Sequence, residues 1–236
     1  MAHLPLLDLE LYPPFEGFAR EGIKFLKDLK KNNNRQWFQA HKSDYEAFVR
    51  LPMQSLIVAL RAEFTKFAPQ IELHPKRSMF RIYRDIRFSK NKAPYKTHVA
   101  AVFHPKGHWQ QSAGYYLHIE PGEVFLGGGV YMPPSDQLRD IRHTLVERSE
   151  EFLSIVNNKS FRRRFGDLEG DKLQRVPQGY VGDHPMGQWL KYKWLYAGVT
   201  WPHERCFGSK FVREAAQIYK EVTPLVRFLN SAMERG

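Results

Sequence analysis

The stretch RDIRFSKNKAPYKTH, residues 84–98, gathers Arg84, Arg87, Lys90, Lys92 and Lys96 around one acid, Asp85. Guanidinium forks grip phosphate or carboxylate with two prongs, while lysines act as mobile point charges. Pro94 pushes Ala93 towards an extended backbone, which would help hold Lys92 and Lys96 in place. Like charges so close repel one another unless a partner relieves them, and Asp85 can pair with only one or two arginines. The chemistry this spacing suggests is anion binding. Arg84 and Arg87 would clamp the anion, Lys92 and Lys96 would add charge, and Tyr95 would line the entrance. Asp85 would orient an arginine or serve as a base. The alternative is an internal network in which the arginines bridge to acids elsewhere and Lys90 and Lys92 are solvated turn charges.

Other chemistry-bearing residues fall in the segments that follow. Alternation along MFRIYRD, THVAAVFHP, AGYYLHIEP and EVFLGGGVYMP sorts side chains onto two faces. Phe80, Ile82, Val99, Ala101, Phe103, Tyr115, Leu117, Ile119, Val124, Leu126 and Val130 form an ordinary core face. The other collects Arg81, Tyr83, His98, Ala100, Val102, His104, Tyr116, His118, Phe125, Gly127, Gly129 and Tyr131. Glycine inside a strand marks a bulge or a close approach by a ligand or another backbone. If the Pro121-Gly122 turn is tight, Tyr116 sits opposite Gly127, and a shallow ligand floor edged by Arg81, Tyr83 and His118 follows. Equally, Tyr116 could lie over the glycine and fill the gap. The ligand-binding set read from these segments therefore adds Arg81, His98, Tyr116, Gly127 and Gly129 to the loop residues. His118 joins Asp85 as a candidate for acid–base work.

His98, His104, His108 and His118 fall on neighbouring strands and their loop, but no acid is evidently placed beside them, so no metal or cofactor is expected. In GDHP, Asp183 and His184 read first as a capped turn. FRRRF, 161–165, reads as a solvated face before a phosphate contact. GGG matches no phosphate-binding signature. Cys206 excludes an intramolecular disulfide and thiolate zinc clusters, being the one cysteine, and a lone thiol is usually inert.

These residues need a scaffold. FEGFAREGIKFLKDLKK carries an apolar helical stripe that stops at Asn32-Asn33-Asn34. RQWFQAHKSDYEAFVR and PMQSLIVALRAEFTKF read as two further helices, the second opening at Pro52. The four strand-like segments suggest an antiparallel meander over 79–132. PPSDQLRDIRHTLVER begins a helix capped by Ser135 or Asp136, and EEFLSIVNN continues as another. KWLYAGVTW reads as a fifth strand, and a closing helix follows that Pro224 would kink. The expectation is an α+β fold with a mostly antiparallel sheet of about five strands. It forms one domain over 1–236: an arm at 1–14, helices at 15–68, the meander at 77–132, helices at 134–158, a basic irregular segment at 159–192, and strand plus helix at 193–230.

Composition bounds the rest. With 42% hydrophobic residues the chain can form a core, which excludes global disorder. A net charge of +11 favours acidic partners. The N-terminal MAHLPLLDLELYPP lacks the basic region of a secretory signal, and no apolar run approaches a membrane span. Together with the single thiol, this points to the cytoplasm and away from membranes.

Four stretches carry a resemblance: RDIRFSKNKAPYKTH; FEGF with FLKDLKKNNNRQWFQAHKSDYE; GGGVYMPPSDQLRDIR; and GDHP with LKYK. Together they resemble the DUF2461 family, a widespread microbial family of uncharacterised proteins, over most of the chain. The family's loop pattern is similar to R-D-x-R-F-S-x-D-K-x-P-Y-K-T. Asn91 departs from it, standing where aspartate is common. The resemblance supports the fold boundaries and the choice of motifs but implies no particular reaction. Three functions remain open: a pocket for a phosphorylated or carboxylated small molecule, a nucleic-acid surface, or a basic docking module for an acidic protein. Whether any of them includes catalysis, and in what oligomeric state, is not encoded in these motifs.

Overall fold

A computed structural model describes residues 11–105 and 111–234. The fold is α+β, with a five-stranded antiparallel sheet and helices before, between and after the strands. The helices are α1 (Arg20–Lys31), α2 (Arg35–Ala40), α3 (Lys42–Tyr45), α4 (Leu51–Phe67), α5 (Ser135–Glu147), α6 (Ser149–Val156), α7 (Lys159–Phe165), α8 (Gly187–Leu190) and α9 (Lys210–Met233). The strands β1 (Ile71–Glu72), β2 (Val99–Pro105), β3 (Gly114–Glu120), β4 (Glu123–Val130) and β5 (Leu195–Trp201) lie side by side in chain order. No described helix is long and apolar enough to cross a membrane. His108 and most of the 1–14 arm lie outside the described residues.

The chain divides into two compact units: Met1–Val102 with Leu117–Phe125 and Thr200–Ala216, and Phe103–Tyr116 with Leu126–Val199 and Gln217–Gly236. In the first, α1 presents buried Ile23, Phe25, Leu26 and Leu29. Phe25 meets Phe38 and Tyr45 at ring distances of 6.3 and 5.9 Å. The three asparagines that end α1 have separate tasks. Asn32 donates back to the Asp28 carbonyl, Asn34 caps α2 by accepting from Trp37 N, and Asn33 reaches far along the chain to Tyr95. Arg35–Arg50, expected as one helix, is α2, α3 and a π-helical turn at Glu46–Arg50 that runs directly into α4. Pro52 still occupies the first turn of α4.

In the second unit α9 covers the apolar side of the strands. Tyr115 donates or accepts a 3.0 Å hydrogen bond with Thr223 and meets the Tyr219 ring edge-on. Gly128 faces Val222 and Val226 so closely that an added Cβ would fall within 2.8 and 2.9 Å of them. α9 runs through Pro224 as one helix. The basic segment from Lys159, expected to be irregular, opens with α7. Asn158 caps this helix by accepting from Ser160 N and Phe161 N, and Phe161 and Phe165 are buried. Two phenylalanines four positions apart on one helical side outweigh the polarity of the intervening arginines. Neither Ser135 nor Asp136 caps α5; the cap position is Pro134, with no side-chain hydrogen bond.

The first expected strand is the chief correction. Met79 bridges to Ala101, with Phe80 N donating to Ala100 O and Val102 N to Ser78 O, and the pairing then ends. The chain turns instead onto its own continuation: Tyr83 bridges Tyr95, Arg84 N donates to Pro94 O, and Lys96 N donates to Ile82 O. Ile71–Glu72 takes the place beside β2. Every expected core-face residue is buried except Phe80, which is half-buried. On the face expected opposite the core, Ala100 and Gly127 are buried as well, so β2 and β4 do not alternate cleanly.

Candidate functional site

The basic stretch is a self-braced loop closed at Tyr83 and Tyr95. Its anchor is Tyr95, which is 2% exposed and stacks on Phe38 with ring centroids 4.1 Å apart, so it sits in the core and not at an entrance. Asn33 fastens the same residue from both sides, accepting from Tyr95 N at 3.0 Å and donating to Tyr95 O at 2.9 Å.

Several of the loop's cations serve the loop itself. Arg84 donates to Ala93 O at 3.1 Å and approaches Ser89 Oγ. Lys92 donates to Ile86 O at 3.0 Å, and Asn91 accepts from Ala93 N. Arg87 forks onto Asp85 through Nε at 3.0 Å and a terminal nitrogen at 2.7 Å, while its backbone N–H donates to the same carboxylate. These hydrogen bonds hold the Asp85 carboxyl down at about 2, so at neutral pH it is a fixed anion and a poor base. Asn91, standing where the family pattern commonly has aspartate, uses its side-chain oxygen to hold the loop backbone at Ala93. Beside the fork, Phe88 is 94% exposed with the Arg87 guanidinium 5.8 Å from its ring centre.

At the foot of the loop the charges are not matched in this way. Lys96 is half-buried, with its ammonium 4.9 Å from the centre of the Phe80 ring. Burial, and then the charge of Arg81, lower its pKa. Arg81 itself is exposed. Among the described residues, neither Lys96 nor Arg81 has a carboxylate partner within salt-bridge distance. His98 follows on the same surface, its pKa pushed down to about 4 by burial, then by His118 and Lys96, so it is a neutral imidazole at pH 7.

His98 and His118 approach to 5.7 Å between ring centroids. The sequence alone did not reveal the acids beside them. His118 Nε2 lies 3.0 Å from Glu123 Oε1 and 3.9 Å from Glu120 Oε1. The cause is the Pro121-Gly122 turn, with Gly122 at φ +109°, which joins β3 to β4 with only these residues between the strands. Glu120 and Glu123 then face each other beside the turn, and His118 shares their side because side chains alternate with period two. The signal was present as H-x-E-P-G-E, which becomes legible once the hairpin's register is fixed.

The remaining expected residues lie in the second unit or are spent structurally. Tyr116 and Gly129 are half-buried and Gly127 is buried. Gly129 has φ +154°, and a Cβ there would fall 2.4 Å from the Leu195 carbonyl oxygen, so the close approach is made by β5. Arg162 pairs with Asp167, and Arg164 forks onto Glu221. His184 accepts from Met186 N, as a turn residue does. Cys206 is fully buried, and burial pushes its thiol up to about 12, which removes it as a nucleophile.

Searches of curated proteins and of solved structures return no match. A family model does match, over residues 21–228, and it spans the loop, the hairpin and the helices that hold them. The chain belongs to the DUF2461 family of conserved hypothetical proteins.

Proposed function

We propose that the protein binds a small anionic molecule, phosphorylated or carboxylated, at the foot of the basic loop. The observation that carries this reading is the pair Lys96 and Arg81: neighbouring cations, one half-buried, with no carboxylate partner among the described residues. A charge kept partly out of water beside another of the same sign raises the energy of the free protein, and an anion relieves it. Arg81 would supply a fork and Lys96 a point charge, with His98 as a neutral hydrogen-bonding group. Arg84, Arg87, Lys92 and Tyr95 would act as the scaffold that fixes this foot. A reducing, cytoplasmic setting suits the single buried thiol.

The test is thermal-shift screening against phosphorylated and carboxylated metabolites at two salt concentrations, with Lys96→Gln and Arg81→Ala as site variants. A shift with one small anion that survives moderate salt and is lost in both variants supports the reading. Equal shifts in wild type and variants count against it.

A second reading has its own observation in Phe88, a nearly fully exposed aromatic with a guanidinium at its ring. Such a tip offers a stacking surface for a nucleic-acid base or a partner's side chain. Binding of a single-stranded oligonucleotide that weakens steeply with salt and is lost in Phe88→Ala would favour it.

A further inference from the structure

We infer that His118, Glu120 and Glu123 form a binding site for a first-row divalent metal ion, with His98 as the neighbouring imidazole. The donor atoms of the three residues all lie within 4.8 Å of one another. Ligands around a first-row ion sit about 2.0–2.2 Å from it, which separates neighbouring donors by roughly 3–3.5 Å. Small side-chain rotations bring this set to that spacing, because His118 and Glu123 are already 3.0 Å apart.

The placement is specific in two respects. First, Glu120 and Glu123 face each other across a tight turn, an arrangement of like charges that is unfavourable unless a cation stands between them. Second, the ligands rest on paired strands and not on a loop. The His118 ring stacks on Phe125 at 5.7 Å, and all three residues are only part-exposed. His98 approaches the same imidazole from β2's leading end and bears no acid of its own among the described residues. It can complete the coordination or hold a bound water.

One imidazole and two carboxylates, with no thiolate, suit Mn²⁺, Fe²⁺, Co²⁺ or Zn²⁺ better than soft Cu⁺. With three protein ligands the ion keeps open positions. This inference does not depend on the anion reading, although a metal with open positions beside Lys96 and His98 would be a natural further contact for an anion.

Co²⁺ is the probe, followed by its visible absorption and by titration calorimetry on the full chain, with Zn²⁺ as competitor. The expected result is one Co²⁺ per chain, displaced by Zn²⁺, with affinity reduced at least ~10-fold in each of His118→Ala, Glu120→Gln and Glu123→Gln. Lys96→Gln should retain Co²⁺ while losing the anion response, so the two proposals fail separately. The glutamine variants keep side-chain shape, and circular dichroism confirms that each is folded. The inference is overturned if the wild type shows no Co²⁺ band up to ~1 mM metal, an affinity too weak for a built site. It is equally overturned if folded glutamine variants bind as tightly as wild type, which would leave His118 as a plain ion-pair partner of the two glutamates.

Discussion

Lys96 holds its ammonium against the Phe80 ring, half out of water and close to Arg81. Removing that charge while keeping most of the side-chain length should stabilise the free protein, so Lys96→Gln is expected to raise Tm at pH 7 and to weaken the proposed anion binding. The pH dependence has a definite sign. Its pKa is lower in the folded state than the ordinary 10.5, so the unfolded chain holds the proton more tightly between those values. The penalty is fully present below the lowered pKa and disappears as pH rises past 10.5, where wild type and variant should converge in thermal melts. Cys206 gives a second residue-scale expectation. With its thiol buried and held protonated, it should react with a thiol reagent only after unfolding. Rapid labelling of the native protein would contradict its assignment as inert.

Between α1 and α2 the chain makes its longest-reaching tie to the loop through Asn33. Replacing Asn33 with alanine removes both hydrogen bonds to the Tyr95 backbone and leaves part-buried polar groups without partners. The expected cost is about 1–3 kcal/mol, with faster amide exchange concentrated in 84–98. Exchange spread evenly over the chain would show that the loop does not depend on this tie. Among the strands, Gly129→Ala combines a backbone conformation that L-residues avoid with a Cβ driven into β5. A loss of about 3 kcal/mol or more is expected in denaturant melts. Gly122, by contrast, has open space around its missing Cβ, and only its φ of +109° resists substitution. Gly122→Ala should therefore cost less than Gly129→Ala.

At the scale of the molecule, the boundaries between the two compact units fall inside β2, β3, β4, β5 and α9. A strand cannot lose half its length without disturbing its ladder. We therefore expect chemical unfolding to proceed in one cooperative transition, with fluorescence and circular dichroism coincident. Separated transitions would reveal units of independent stability. The net charge of +11 acts at this scale too, attracting anions from a distance in a way that salt screens. The proposed binding at the foot of the loop should retain a salt-resistant part, because Lys96 is half-buried.

Local chemistry made much of this protein readable from its residues alone. Periodicity located α1, α4 and α9 and the two faces of the sheet, since burial of an apolar stripe or alternate row depends on spacing that sequence records directly. Family membership was legible for the same reason, in motifs that are continuous in the chain. Tertiary structure decided what each charged group does. Asp85 and Arg87 satisfy each other, Arg84 and Lys92 bond to carbonyls, and Tyr95 is drawn into the core by Phe38 and Asn33. Of these partners only an arginine for Asp85 is legible in the loop's composition; the carbonyls, Phe38 and Asn33 are not. The same holds for MFRIYRD, whose strand-like alternation yields to pairing with its own continuation at Tyr95. It holds also for His118, whose two glutamates become neighbours only once the hairpin register is set. Side-chain periodicity is a property of the local backbone. Partnership between charges depends on which distant or returning segments share a few ångströms, and only the assembled fold fixes that.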